Sequence, residues 1–393
     1  MRPFHLPPAA CLAVTLVAAA TSLPAAAFQG AAAREPAAAP SEAAPTPISA
    51  AGDGPYVLAN GPRWSAKRVG TNLRPVAETV EPRGKVRIAP VGDVPAFTVK
   101  LRPPVGAPAS ATLALDPAAR LLVLADTHGE YEILHAFLRK QGVIDAKMKW
   151  AFGKGQLVVT GDMFDRGAHQ LEILWLFYKL EAEARRAGGA LHILLGNHEA
   201  MVLRGDLRYL HPRYGEAARI LGAADYSALF GGDSVLGEWL RSRPAVLKLG
   251  DLLLMHGGVS PSIVDADLGV DALNAGIRKA LAEPAQSKTL DAGTQLIAGS
   301  SGPMWYRGYF GKGAAQTPAA EVNRSLAAFG VSRILVGHTP VDKVTALYGG
   351  KVIAVQVYPH RDETTGAPVL EGALRDKGRW YRVTADGLRE GFD

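Results

Sequence analysis

The chain has 393 residues, of which 48% are hydrophobic and 20% charged, a composition typical of a globular protein with a sizeable core. Its formal net charge of +6 is mild for this length, and neither a run of five like charges nor a basic stripe interleaved with aromatic residues occurs, which argues against a nucleic-acid partner. A small positive charge would still favour the approach of an anionic substrate.

The N-terminal segment predicts export. The apolar stretch Ala9–Leu23 follows a basic residue and precedes a run of small residues, which is the order found in a signal peptide cleaved after Ala27. The alternative is an uncleaved membrane anchor, for which the apolar stretch is short. We therefore expect a signal peptide over residues 1–27, a periplasmic or secreted mature protein, and no stable membrane insertion after cleavage. Cys11 lies within this peptide, so any metal in the mature chain must be held by His, Asp, Asn or Glu.

Two further segments precede the main domain. Residues 28–54 are rich in Ala and Pro and predict a disordered linker. Residues 55–119 contain short alternating pieces such as Lys85–Val91 and Ala96–Leu101, separated by prolines. They predict a strand-rich extension that packs on the core.

Residues 120–393 predict an α/β domain. Apolar runs of strand length alternate with helical patterns, with the spacing of βαβ units. A helical cap is expected at about residues 200–243, and a helix-rich stretch up to about Leu281. The predicted strands are Arg120–Ala125, Gln156–Thr160, Leu191–Gly196, Val246–Gly258, Arg333–Gly337 and Lys351–Val357, and the first two predicted helices are Tyr131–Lys140 and Gln170–Ala187.

Five of these strands end in a cluster of polar residues. Ligand sites of α/β folds lie beyond the carboxyl ends of strands, so the five clusters are expected to converge on one crevice. The clusters contain Asp126 and His128; Asp162, Asp165 and Arg166; Asn197 and His198; His256; and His338.

The residue types in these clusters point to a metal centre. Two carboxylates, one amide oxygen and three imidazoles suit divalent Mn, Fe or Zn, whereas oxygens alone would favour Mg or Ca. Six ligands are too many for one tetrahedral ion. A pair of ions roughly 3.5–4 Å apart that share one carboxylate fits better, and such pairs act on phosphoryl groups.

The ordered motifs "DTHG", "GDMFDRG", "GNHE", "HGGVSP" and "GHTP" resemble the signature set of the phosphoprotein phosphatase (PPP) family of calcineurin-like metallophosphoesterases. The blocks Gly205–Leu210 and Gly302–Phe310 look most like the family's bacterial, Shewanella-like branch, and the resemblance covers Leu121–Val357. It implies a four-layer α/β/β/α sandwich with a helical cap insertion. The segment Gln356–His360 ("QVYPH") departs from the family pattern, and this departure bears on the far wall of the cleft and so on substrate choice.

The resemblance also implies a role for each site residue. Asp162 would bridge the two metals, and His198 would be the general acid, oriented by Asp165. Glu199 is left outside the metal shell, as a residue that hydrogen-bonds its neighbours. The first metal would be held by Asp126, His128 and Asp162, the second by Asp162, Asn197, His256 and His338, and the substrate by Arg166, Arg307 and Asn197.

The function implied is that of a two-metal phosphomonoester hydrolase, in which a metal-bridging hydroxide attacks phosphorus in line. Mn, Fe or Zn would be the cofactor, with Mn expected to support activity in vitro. The resemblance favours phosphorylated Ser, Thr or Tyr side chains of proteins as substrates. Two alternatives stay open: a hydrolase of nucleotides, dinucleoside polyphosphates or other small phosphate esters, and an inactive phosphate-binding module.

Overall fold

The computed structural model describes residues 52–392 except for residues 60, 104–105 and 109. The predicted signal peptide and nearly all of the predicted linker therefore lie outside the described residues. The first strand begins at Asp53, within the last two positions of the predicted linker. The described strands are β1 (Asp53–Leu58), β2 (Trp64–Val69), β3 (Pro75–Val80), β4 (Lys85–Ile88), β5 (Phe97–Lys100), β6 (Thr112–Leu113), β7 (Leu121–Leu124), β8 (Gln156–Val159), β9 (Ala190–Ile193), β10 (Val246–Leu249), β11 (Leu252–Met255), β12 (Arg333–Val336), β13 (Thr345–Leu347), β14 (Val352–Ala354), β15 (His360–Arg361), β16 (Pro368–Val369), β17 (Glu371–Asp376), β18 (Arg379–Thr384) and β19 (Arg389–Gly391).

Helices alternate with these strands through the domain. Three 3₁₀ turns, at Ser227–Phe230, Gly308–Phe310 and Gly313–Ala315, occur among the described residues. The α-helices are α1 (Tyr131–Lys140), α2 (Gln170–Arg186), α3 (Asn197–Leu203), α4 (Pro212–Ile220), α5 (Val235–Arg241), α6 (Pro261–Asp265), α7 (Val270–Leu281), α8 (Ala292–Ala298) and α9 (Ala319–Phe329). The segment predicted as a helical cap thus contains the end of α3, all of α4, the first 3₁₀ turn and α5.

Two six-stranded mixed sheets form the centre of the fold. Their strand orders are β19-β18-β17-β7-β8-β9 and β13-β14-β12-β11-β10-β6. Helix α2 packs on β9 and helix α7 on β10, and one continuous cluster of buried apolar side chains includes residues of both sheets. Strands β7 and β11 are apolar at every position because they are buried throughout. The expected α/β/β/α sandwich is confirmed.

The strand-rich N-terminal extension is attached to this core by specific contacts. Strands β1, β2 and β3 form one antiparallel sheet, β4 and β5 form another, and β6 joins the edge of the second large sheet beside β10. The indole of Trp175 on α2 donates a hydrogen bond to the carbonyl of Pro55, at 3.0 Å. Buried Arg213 on α4 donates to the carboxylate of Asp53, at 2.9 Å. The extension therefore lies against both α2 and the cap helix α4.

Sequence reasoning missed the C-terminal strands β17–β19. Strand β17 lies in the middle of the first sheet, antiparallel to β7 on one side and to β18 on the other. No helix among the described residues combines the length and the apolar character that crossing a bilayer requires.

Candidate active site and metal centre

The carboxyl ends of parallel strands from both sheets meet at one place. In the first sheet the backbone N–H of Asp126 donates to the carbonyl of Gly161, and that of His128 donates to the carbonyl of Asp162, at 3.1 and 3.0 Å. The backbone N–H of His338, which follows β12 in the second sheet, donates to Oδ1 of Asp126 at 3.2 Å. The site therefore lies where the ends of the two sheets join.

Several residues of the site adopt a left-handed backbone conformation, with positive φ, that residues other than glycine rarely adopt. Six of the predicted site residues have a positive φ, between 39° and 69°. Each such position costs on the order of 1–3 kcal/mol, and the surrounding hydrogen bonds must hold it. These loops carry side chains that lie close to Asp162. The six residues are Asp126, His128, Asp162, Asp165, Arg166 and His338.

A glycine makes room for the central carboxylate. A Cβ atom on Gly196 would lie 2.1 Å from Oδ1 of Asp162 and 2.7 Å from its backbone nitrogen. The first position of the "GNHE" motif must therefore lack a side chain, since the carboxylate packs directly against its backbone.

Asp162 occupies the centre of the cluster. Its Oδ1 accepts a hydrogen bond from the backbone N–H of His198, at 3.0 Å. Its Oδ2 lies 2.9 Å from Nε2 of His256 and 3.8 Å from Nε2 of both His128 and His198. One carboxylate oxygen thus faces three imidazoles, which is the position expected of a carboxylate shared by two cations.

The three predicted histidine ligands share a hydrogen-bonding pattern. Nδ1 of His128 bonds the carbonyl of Phe164 at 2.9 Å, and Nδ1 of His256 bonds the carbonyl of Thr160 at 3.0 Å. Nε2 of His338 bonds the carbonyl of Trp305 at 3.1 Å. A carbonyl only accepts, so the bonded ring nitrogen is protonated in each of the three. The other ring nitrogen of His128 and of His338 then presents a lone pair, whereas Nε2 of His256 also carries a proton, directed at the oxygens of Asp162 and Asn197, 2.9 Å away in each case. Histidine ligands of metals are oriented in this way.

These donors fit two divalent cations. Ligand atoms of His128, Asp162 and His198 lie within 4.8 Å of one another, as do those of Asp162, His256 and His338, and the two groups share Asp162. Oδ2 of Asp126 is 3.8 Å from Nε2 of His128, at the edge of the first group. Imidazole nitrogens mixed with carboxylate and amide oxygens suit first-row divalent ions. The amide joins the second group, because Oδ1 of Asn197 is 2.9 Å from Nε2 of His256.

His198 differs from the other histidines in its second partner. Its Nδ1 lies 2.7 Å from Oδ2 of the buried Asp165, so a carboxylate takes the place of a carbonyl. The backbone N–H of Asp165 in turn donates to Oε1 of Gln170, at 2.6 Å. A carboxylate partner stabilises the imidazolium form, which donates a proton and cannot bind a metal. The contact with Asp165 therefore favours an acid role for His198.

The pKa shifts separate His198 from two of the three predicted histidine ligands, His128 and His338. Burial disfavours the charged form of His198, but the carboxylates of Asp162 and Asp165 outweigh it and raise the pKa. Burial and the neighbouring imidazole of His198 lower the pKa of His128 well below its usual value, and burial with His256 does the same to His338. These two imidazoles are neutral, as ligands must be.

The central carboxylate and its closest imidazole behave as an ion pair. Burial favours the neutral acid at Asp162, but His256 and His198 hold its pKa well below the usual range. Burial likewise opposes the charge on His256, but Asp162 and Asp126 raise its pKa to about 9. A metal ion at this position would displace that proton, because only the neutral imidazole is a ligand.

Both predicted phosphate-binding arginines lie beside the cluster. The backbone N–H of Arg166 donates to the carbonyl of Tyr209, at 3.1 Å. Nη1 of Arg307 donates to the carbonyl of His338 at 2.7 Å and to Oγ1 of Thr339 at 3.2 Å. The guanidinium of Arg307 is thus anchored on the loop that carries His338.

Glu199 holds the loops together from outside the metal group. Its carboxylate accepts hydrogen bonds from the backbone N–H groups of Asp162, Met163 and Gly196, at 2.7, 2.7 and 2.8 Å. A fourth N–H, that of Phe164, donates to it at 3.2 Å. The bond to Gly196 is the capping-box contact expected of a Glu at the third position of helix α3.

Sequence reasoning missed two tyrosines at the site. The ring of Tyr209 lies 5.3 Å from that of His198, and the ring of Tyr358 lies 5.8 Å from that of His128. Neither tyrosine belongs to the His, Asp and Asn pattern from which the metal ligands were predicted. Only their positions in the "GDLRYL" and "QVYPH" blocks could have drawn attention to them.

The comparisons with known proteins agree with this geometry. Residues 119–342, more than half of the chain, match the calcineurin-like phosphoesterase family. The chain is a calcineurin-like phosphoesterase. The solved cold-active protein-tyrosine phosphatase of a psychrophilic Shewanella species is 36% identical to it, with a TM-score of 0.76 over 87% of this chain and 99% of that one. The Shewanella-like protein phosphatase 2 of Arabidopsis thaliana is 25% identical over 302 residues, 66% of this chain and 76% of that protein.

A second group of relatives matches a shorter part of this phosphoesterase. The symmetrical bis(5'-nucleosyl)-tetraphosphatase of Shewanella loihica is 30% identical over 142 residues, 35% of this chain and 44% of that protein. The family match and the two Shewanella-like relatives confirm the resemblance to the Shewanella-like branch of the PPP family. The chain is a metal-dependent phosphoester hydrolase.

Proposed function

We propose that this phosphoesterase is a two-metal phosphomonoester hydrolase that removes phosphate from tyrosine, serine or threonine side chains of proteins. The observation that carries the proposal is the position of Asp162, whose Oδ2 faces the Nε2 atoms of His128, His198 and His256. The Shewanella relative, named as a protein-tyrosine phosphatase and similar along nearly its whole length, supports protein substrates.

The proposed ligand roles follow the two donor groups, except that Asp126 takes the place of His198, to which we assign the acid role. Two divalent cations, when bound, supply Lewis-acid activation of a water and neutralise charge on the phosphoryl oxygens. The buried carboxylates would balance the charge of the ions, and the carbonyl-bound imidazoles would present lone pairs to them once His256 has lost its second proton. The first ion would be held by Asp126, His128 and Asp162, and the second by Asp162, Asn197, His256 and His338.

The remaining side chains bind the phosphate and move a proton. Arg166, with its planar guanidinium, would pair with two phosphate oxygens, and Arg307 and the amide of Asn197 would contact the others. Nε2 of His198 would donate its proton to the oxygen of the departing alcohol or phenol. Asp165 holds the ring in orientation and keeps it charged until that transfer.

A substrate panel tests the proposal. The purified protein, freed of metal and reloaded with Mn²⁺, Fe²⁺ or Zn²⁺, is assayed on peptides that carry phosphotyrosine, phosphoserine or phosphothreonine, on nucleotides, and on a dinucleoside tetraphosphate. We expect phosphopeptides to give the highest kcat/KM and Mn²⁺ to support activity. Asp162→Asn serves as the matched inactive variant, because it removes the shared charge and keeps the side-chain volume.

The tetraphosphatase relatives provide the second candidate function. They match 28% to 36% of this chain and less than half of their own length. A dinucleoside tetraphosphate that exceeds every phosphopeptide in kcat/KM would move the assignment to this class and leave the metal site unchanged.

We also propose that the protein is exported. The support is the order of residues 1–27, a basic start, an apolar stretch and small residues before Phe28. Cell fractionation followed by N-terminal sequencing tests this. A mature chain that begins near Phe28 is expected outside the cytoplasm, and a cytoplasmic chain that retains Ala9–Leu23 would contradict export.

A further inference from the structure

Two tyrosines from distant parts of the chain stand beside the proposed phosphate-binding arginine. The guanidinium carbon of Arg166 lies 5.8 Å from the ring centroid of Tyr209 and 5.9 Å from that of Tyr358. Tyr209 belongs to the connection between α3 and α4, whereas Tyr358 follows β14. Both distances are within the range of a cation–π contact.

One of the two rings lies beside the proposed acid, His198, and the other beside the proposed metal ligand His128. The rings of Tyr209 and His198 are 5.3 Å apart, those of Tyr358 and His128 are 5.8 Å apart, and the two imidazoles are 4.8 Å apart. A group that reaches Arg166 and His198 together must therefore pass close to at least one phenol ring.

Both tyrosines are held in place by their backbone surroundings, and both rings are partly exposed to solvent. Tyr209 is 38% exposed, which is high for a large aromatic residue beside a buried cluster. Its carbonyl accepts the backbone N–H of Arg166, so its position is tied to the arginine loop. Tyr358 is half-buried, and its neighbours Val357 and Pro359 are buried.

We infer that Tyr209 and Tyr358 form an aromatic wall that makes the site selective for aryl phosphates. The ring of a phosphotyrosine would pack on this wall while its phosphate contacts Arg166, an inference that rests on the proposed function. Aromatic pairs contribute beyond the area they bury. A phosphoserine carries its phosphate one carbon from the backbone, so it brings a polar peptide group to the same two rings and gains no such contact.

The test compares two peptides that differ only in the phosphorylated residue. Metal-loaded full-length protein is assayed for kcat/KM on the phosphotyrosine and the phosphoserine peptide, and the ratio of the two values is the readout. Comparing the ratio with that of the wild type cancels the different intrinsic reactivity of the two esters. The variants are Tyr209→Ala, Tyr358→Ala, the double variant, and Tyr209→Phe and Tyr358→Phe.

We expect each Ala variant to lower the ratio by about 3- to 10-fold, the range that one aromatic pair contributes, and the double variant to lower it further. The Phe variants keep the ring and should keep the wild-type ratio. Tyr381→Ala serves as the control, because Tyr381 lies on β18, two strands from β7 in the sheet order, and its ring packs on Arg389 of β19, with 3.9 Å between the ring centroid and the guanidinium carbon. Its ratio should not change.

Two results would overturn the aromatic wall: an equal loss on both peptides in the Ala variants, or a Phe variant that loses as much as the matching Ala variant. Should the wild type hydrolyse neither peptide, the protein-phosphatase proposal fails by itself. The same variants assayed on phenyl phosphate and propyl phosphate then decide the role of the tyrosines, with the same fall in the aryl-to-alkyl ratio expected.

Discussion

The pairing of His198 with Asp165 leads to a quantitative prediction for Asp165→Asn. The substitution keeps the size of a fully buried side chain and removes its charge. At the observed 2.7 Å between Nδ1 and Oδ2, and with an effective dielectric constant of about 20, the Coulomb energy is about 6 kcal/mol. The Asn oxygen retains a neutral hydrogen bond and the site relaxes, so we take about half, ~3 kcal/mol, which corresponds to about a 10²-fold loss in rate.

The pH dependence gives the sign of the same effect. The carboxylates beside His198 raise its pKa against burial, so the charged, proton-donating form persists to higher pH. Without the charge of Asp165 the imidazolium loses its proton at lower pH. The alkaline limb of the pH–rate profile should therefore move to lower pH in Asp165→Asn.

The assay measures kcat/KM against pH on an alkyl phosphate and on an aryl phosphate with a good leaving group, together with the metal content of each sample. The alkyl ester needs the proton more, so its rate should fall further. The matched variant His198→Ala should lose far more turnover than metal. Loss of metal from His198→Ala would make His198 a ligand and refute the acid role. An equal fall on both esters in Asp165→Asn would also refute the acid role.

Three further predictions concern the metals, the ion pair of the extension and a buried histidine. Chelation should abolish activity and lower the melting temperature, because ions that bind only the folded state stabilise it. Returning a divalent ion should restore both, as measured by activity assays and thermal melts. Arg213→Met should lower the free energy of unfolding in urea by about 3–5 kcal/mol, because it leaves the carboxylate of Asp53 buried without its cation. The double variant with Asp53→Leu should recover much of this loss, and no recovery would contradict the pairing. Burial lowers the pKa of His192 to about 4, so the neutral ring contributes stability that is present above its unfolded pKa of about 6.5 and is lost as the pH falls towards 4. The free energy of unfolding, measured in urea, should fall between pH 7 and pH 4.5 by about 2.5 kcal/mol less in His192→Gln than in the wild type.

The strands of the core could be predicted from sequence because their signal is local. An apolar run followed by a polar cluster marks β7, β8, β11 and β12, and the structure contains strands at all four. Strand β17 has no such signal. It mixes glycine and charged residues with apolar ones, and its burial comes from pairing Ala373 with Val123, a contact between the two ends of the domain that no sequence window contains.

The same distinction applies to the site. The residues proposed as ligands could be named from their chemistry and from their position after strands, and the structure brings them together. The positive φ angles of residues such as Asp126 and Asp162 are not visible in the sequence, because tertiary hydrogen bonds impose them. Composition and spacing could not identify Tyr209, Tyr358 and Gln170, because only the folded structure brings their side chains to the site.

The position of β17 in the middle of the first sheet has a consequence for folding during synthesis, because β17 comes from the C-terminal part of the chain. Synthesis proceeds from the N-terminus, so β7, which leads directly into Asp126, has an open edge until residues 371–376 have left the ribosome. A nascent chain short of that point exposes unpaired backbone and apolar side chains. The first sheet can therefore be completed only late in synthesis. Under the proposed export, a chain that meets the membrane before residues 371–376 are made would arrive with this sheet incomplete.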